Sequence, residues 1–149
     1  MATKMNIAEL DLVDVGTPGA QRVVVLDEPG KLSMRHALIP EPGHGEIRIK
    51  IRYVGICGSD LESYRGARSP EFLSTPSRLG HEVSGVIEKI GPGVCGLQVG
   101  QHVSCRYVWG AFAECIVCKP FNVHVVPEHF RDEDISPIAV LPGIIHAAE

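Results

Sequence analysis

Two stretches decide how this chain is read: Glu46-Ile47-Arg48-Ile49-Lys50-Ile51-Arg52-Tyr53-Val54, and directly after it Gly55-Ile56-Cys57-Gly58-Ser59-Asp60. The first alternates charged and apolar residues almost without fault. That period of two marks a half-buried β-strand with one wet face. The second places a thiol and a hydroxyl beside glycines at the strand's end, where the backbone can bend around a ligand.

Working outward, residues 82–90 form a second strand rich in Val and Ile and interrupted by Gly85. Residues 23–26 and 32–39 flank a turn at Glu28-Pro29-Gly30, and residues 101–108, 111–117 and 122–126 read as further strands. About seven short strands with frequent turn residues indicate a mainly β fold, a sandwich or barrel. Helix is expected only near residues 59–65 and at 136–149, where Ser136 could cap and Pro142 would kink it. Residues 1–21 lack a clear period and read as an N-terminal extension, leaving 22–149 as the domain.

The chain has 149 residues, 44% hydrophobic and 21% charged, enough for one globular core. Sixteen Gly and eleven Pro fit a chain that turns often. Fourteen basic against eighteen acidic residues give a net charge of -4, which disfavours a nucleic-acid-binding surface. No apolar run approaches the roughly 20 residues of a membrane span, and no secretory leader is visible, so no membrane partner is expected. Five cysteines is an odd number, which speaks against a full disulfide framework and for a reducing cytoplasm.

A second segment, Gly80-His81-Glu82-Val83-Ser84-Gly85-Val86, opens the strand at residue 82. Thiolate and imidazole are ligands zinc prefers, and three protein ligands with an open fourth position is the catalytic arrangement. Asp60 and Glu82 stand where a carboxylate could orient an imidazole or balance an ion. The blander reading is that Cys57 is a small buried hydrophobe and Gly-His-Glu a turn; taken together the two segments outweigh it.

With Glu41-Pro42-Gly43-His44-Gly45-Glu46, Gly91-Pro92-Gly93-Val94, Val99-Gly100-Gln101-His102-Val103 and Gly110-Ala111-Phe112-Ala113-Glu114 added, the chain resembles the zinc-dependent medium-chain dehydrogenase/reductases, the group of alcohol, sorbitol and threonine dehydrogenases. The resemblance implies a GroES-like catalytic domain, a partly open β barrel with a few short helices, acting on a small alcohol, polyol or carbonyl substrate. It implies Cys57 and His81 as catalytic zinc ligands, Glu82 as an exchangeable ligand or a carboxylate behind the ligands, and Ser59 as the hydroxyl that passes the substrate's proton; Asp60 is kept beside Ser59 as a catalytic candidate. Zinc would let an alcohol lose its proton near neutral pH and pass hydride to a nicotinamide.

Departures from the pattern shape the expectation. Where many members carry a third ligand this sequence has Ala139, and Glu62 stands where many have a relay histidine. The four-Cys segment of a second, structural zinc is missing between Val103 and Gly110. The Rossmann half expected to follow is not in these 149 residues, so NAD(P) would be used only with a separate cofactor half. The one GxGxxG, residues 91–96, has no helix pattern after it and reads as a surface turn.

The first expectation is therefore a zinc and substrate domain, inactive alone, that forms a homo-oligomer or pairs with a chain carrying the Rossmann unit, with apolar residues within 135–145 exposed at the contact. The second is a non-catalytic GroES-like binding or assembly module with a vestigial metal site. Cys115 and Cys118 lie three apart inside a strand, pointing to opposite faces, and Cys95 and Cys105 are expected to pack.

Overall fold

The computed structural model describes residues 11–68 and 75–135. The helix expected at 136–149, Ala139 and most of the stretch 135–145 lie outside the described residues, as do residues 1–10.

The fold is mainly β, built from two antiparallel sheets. The smaller contains β1 (Leu12–Val13), β2 (Ala20–Glu28), β3 (Lys31–Leu38) and β5 (Ser77–Arg78) in the order β1-β3-β2-β5. The larger contains β4 (Ile47–Gly55), β6 (Glu82–Ile90), β7 (His102–Cys105), β8 (Cys115–Cys118) and β9 (Val123–Val125) in the order β8-β4-β6-β7-β9. One helix, α1 (Gly58–Tyr64), follows β4, and a short turn of helix, α2 (Asp132–Ile135), closes the described chain.

β4 behaves as its alternation predicts at its first half: Ile47 and Ile49 are fully buried while Lys50 and Arg52 are exposed. Arg48 is a refinement, since its side chain is 14% exposed and held by Glu41 at 2.7 Å and Glu88 at 2.8 Å. Around Ile47 and Ile49 gather Val83, Ile87, Val103, Cys105, Val108, Ala111, Ile116, Cys118 and Val123, forming the main core. Each fully buried aliphatic side chain contributes on the order of 1.5–3 kcal/mol of hydrophobic stabilisation. In the smaller sheet the corresponding cluster is only Val23, Val25 and Ala37.

Segment 111–118 joins the two sheets. Phe112 O accepts the Val24 N–H at 2.8 Å, Ala113 bridges Val23, and Glu114 O accepts the Ile51 N–H at 2.9 Å. Buried Gln21 reinforces the seam, its Oε1 accepting the N–H groups of Glu114 and Cys115 at 3.1 and 2.7 Å. The result is a curled, partly closed barrel rather than two free sheets.

Several sequence boundaries shift. Leu12–Val13 is already a strand paired with β3, and β2 begins at Ala20, so part of the stretch read as an extension is strand-paired. Residues 101–108 and 111–117 yield only the four-residue strands β7 and β8, because Leu79, Gly80 and β2 take up hydrogen bonds of the segment between them. Cys95 is exposed rather than packed, since it sits in the glycine-rich loop 91–100 outside the core. Ile135, expected on an exposed apolar face, is fully buried at the end of α2. The GxGxxG stretch is loop and turn, as read.

Candidate metal centre

The candidate site forms at one end of the β4–β6 ladder, where Gly55 pairs with Glu82. Gly55 ends β4, Cys57 caps α1, and His81 immediately precedes β6. Antiparallel pairing thus brings together residues that are 24 positions apart in sequence or more. The ligand atoms of Cys57, His81 and Glu82 all lie within 4.8 Å of one another. A Cβ at Gly55 would overlap the Glu82 carboxylate, so the glycine keeps the space that carboxylate occupies.

Asp60, 3% exposed, organises the centre. Its Oδ2 accepts the Cys57 N–H at 3.0 Å and its Oδ1 accepts the Gly80 N–H at 3.0 Å. It therefore ties the loop carrying the thiol to the loop carrying the imidazole. The same Oδ1 lies 3.6 Å from His81 Nδ1. That exceeds hydrogen-bond length, so the buried Nδ1 has no hydrogen-bond partner and the pair interacts through charge. Proximity to Asp60 is the largest influence raising the His81 pKa above its ordinary value, against the opposing effect of burial. Burial would raise the Asp60 pKa, but His81 and the two backbone N–H groups outweigh it and hold the carboxyl below its ordinary value.

With Nδ1 turned to Asp60, Nε2 is the imidazole atom available to a metal. Ser59 Oγ stands 3.3 Å from Nε2, at the same point. The Cys57 thiol is shifted toward thiolate, chiefly by the Ser59 backbone N–H and then the Ser59 hydroxyl. Two buried cysteines, Cys105 and Cys115, go the opposite way. Contact with Cys118 and burial push Cys105 well up, and burial with Glu88 raises Cys115 to about 11. Among these thiols only Cys57 is prepared to be a soft anionic ligand.

Thiol, imidazole and carboxylate donors fit a borderline metal such as zinc. The described residues supply three donors without the third position at Ala139. Glu62, at the place of a relay histidine, is exposed on α1 and is not among the clustered donors. Cys115 and Cys118 stay apart from the site, Cys115 facing Glu88 at 3.8 Å and Cys118 lying in the main core.

One neighbour escaped the sequence reading. Trp109 stacks on His81 with ring centroids 4.4 Å apart, and the Arg68 guanidinium lies 5.1 Å from the Trp109 ring centre. The lone tryptophan of the chain beside Gly110 was the available signal.

Comparison with known proteins agrees with this geometry. The profile of the family described as "Alcohol dehydrogenase GroES-like domain" matches residues 43–128, more than half of the chain. The starvation-sensing protein RspB of Escherichia coli strain K12 is 37% identical over 125 residues, covering 80% of this chain and 36% of that protein. Sheep (Ovis aries) sorbitol dehydrogenase is 40% identical over 90 residues, covering 60% of this chain and 25% of that protein. The crystal structure of galactitol-1-phosphate dehydrogenase from Escherichia coli superposes with a TM-score of 0.73 at 32% identity, covering 78% of this chain and 41% of that one. The chain thus spans well under half the length of the proteins it matches. Among the described residues no helix is long and apolar enough to cross a membrane.

Proposed function

Because the chain belongs to the zinc-type medium-chain dehydrogenase/reductase family through its alcohol dehydrogenase GroES-like domain, we propose that residues 22–149 are the zinc and substrate domain of an alcohol or polyol dehydrogenase. The observation that carries this is the convergence of Cys57, His81 and Glu82 within 4.8 Å.

In this reading Cys57 Sγ, His81 Nε2 and a Glu82 carboxylate oxygen hold the metal. Zinc in such a site supplies Lewis acidity, which makes an alcohol O–H more acidic and a carbonyl more electrophilic. The remaining work falls to the chain's own residues. Asp60 keeps the imidazole oriented by facing Nδ1 and fixes both ligand loops by accepting their backbone N–H groups. Ser59 Oγ, beside Nε2, is placed to accept a substrate hydroxyl proton and hand it outward. Glycine at 55 leaves room for the Glu82 carboxylate.

Hydride acceptance needs a nicotinamide, and no parallel βαβ unit occurs among the described residues. The cofactor half is therefore supplied by other residues, in the same protein or in a partner chain. The 149 residues alone are expected to bind zinc but not to oxidise alcohols with NAD(P). Elemental analysis of the purified chain tests this: about one zinc per chain, lost in Cys57→Ala, is the expected result. Metal-free protein with unchanged stability in that variant would instead favour the binding-module reading.

A further inference from the structure

We propose that Arg68 determines specificity at this site by selecting substrates that carry an anionic group, a carboxylate or a phosphate, on the same molecule as the hydroxyl that enters the Cys57, His81 and Glu82 cluster. This rests on the reading of that cluster as the substrate site.

The observation is a run of three planar groups that starts at His81, the first two rings tilted by 38° to each other. His81 faces Trp109 at 4.4 Å, and Arg68 sits over the same indole at 5.1 Å. All three side chains are half-buried. A guanidinium laid on an aromatic ring uses its face for the cation–π contact, and its N–H donors point out from the edge. Those edge donors match two oxygens of a carboxylate or phosphate. A lysine in this place would be a point charge without that geometry.

Charge balance points the same way. The cluster carries two acids, Asp60 and Glu82, and the Cys57 thiol, which binds a metal as its thiolate. A divalent metal held by a thiolate and a carboxylate is already neutralised, and Asp60 adds a further negative charge, so the cluster offers no net cation to an anionic substrate. Among the described residues Arg68, like Arg52, Arg65, Arg78 and Arg106, has no carboxylate within salt-bridge distance, whereas Arg22 and Arg35 each have one and Arg48 and Arg131 each have two. A cation laid on an indole beside these acids, with no ion-pair partner among the described residues, is suited to attract one class of ligand. The two steps from His81 to Trp109 and from Trp109 to Arg68 are within reach of one short-chain polyhydroxy acid or sugar-alcohol phosphate.

Trp109 is the chain's single tryptophan, so its emission reports on this stack directly. The test is a fluorescence titration of the full chain with sorbitol, gluconate and sorbitol 6-phosphate, with zinc content measured on the same samples. Gluconate or sorbitol 6-phosphate should bind at least tenfold more tightly than sorbitol, and the stronger of the two tells whether carboxylate or phosphate is preferred. Arg68→Gln should remove that preference while leaving sorbitol affinity within about twofold, and Arg68→Lys should keep only part of it. Equal affinities in the unaltered chain, no binding of any probe, or a preference that persists in Arg68→Gln would overturn the proposal. Zinc present without anion preference defeats this inference alone. Anion preference that depends on Arg68 in a chain without zinc defeats the metal reading alone.

Discussion

The two ends of the β4–β6 ladder are made of similar residues and serve opposite purposes. At one end Ile47 pairs with Ile90, and the turns beyond it close on themselves. Gly91 donates to Glu46 O at 2.8 Å, Gly45 to Pro92 O at 2.7 Å, and Gly43 to the Glu46 carboxylate at 2.9 Å. At the other end Gly55 pairs with Glu82, and thiol, imidazole, carboxylate and hydroxyl converge on one point. Each end has a glycine whose missing Cβ matters. At Gly91 the obstacle is backbone, the Gly43 carbonyl; at Gly55 it is the tip of the Glu82 side chain. A closed turn and a binding site can thus be told apart by what the glycine makes room for.

The largest effect should come from Gly91→Ala. Its Cβ would overlap the Gly43 carbonyl oxygen and stand 2.9 Å from Glu46 O; backbone cannot step aside as a side chain can, so a loss of about 3 kcal/mol is expected in denaturant unfolding. An unchanged midpoint would erase the distinction between the two ends. Gly55→Ala should be milder for folding, under about 1 kcal/mol, because the Glu82 carboxylate can swing away. The same swing should weaken zinc about tenfold, which competition with a chromophoric chelator would read. If Gly55→Ala unfolds the chain while leaving zinc affinity intact, the site end is structural after all. The smallest effect belongs to Glu46→Ala, which removes one exposed acceptor from the closed turn. It should cost about 0.5 kcal/mol by thermal unfolding and leave zinc binding unaltered.

The ladder itself was legible because its signals are local. Alternation over 46–54 marks β4, the Val and Ile run marks β6 with its observed bounds of Glu82–Ile90, and the expected helix near 59–65 is α1 at Gly58–Tyr64. The ligands were legible as residue types at strand ends beside glycines. Less could be read between residues 101 and 118, where only four-residue strands form. There the backbone spends its hydrogen bonds on β2 and on Leu79 and Gly80, partners that no local period announces. Gln21 was equally silent: a glutamine near a chain start carries no sign that it will be buried and bridge two sheets. Cys95 misled in the other direction, since a cysteine is usually buried and here a glycine-rich loop carries it to the surface.

By itself, the sequence determined the mainly β class, the strand that leads into Cys57, and the identity of a thiol, an imidazole and a carboxylate suited to one metal. These follow from periodicity and from the intrinsic chemistry of side chains, which each residue carries wherever it lies. Only the tertiary structure decided that the three donors meet, that Asp60 ties together the loops carrying Cys57 and His81, and that Trp109 lies against His81 with Arg68 over its ring. Those facts depend on antiparallel register and on the curl that brings segment 111–118 across both sheets, contacts between residues far apart in the chain that become definite only when the core closes.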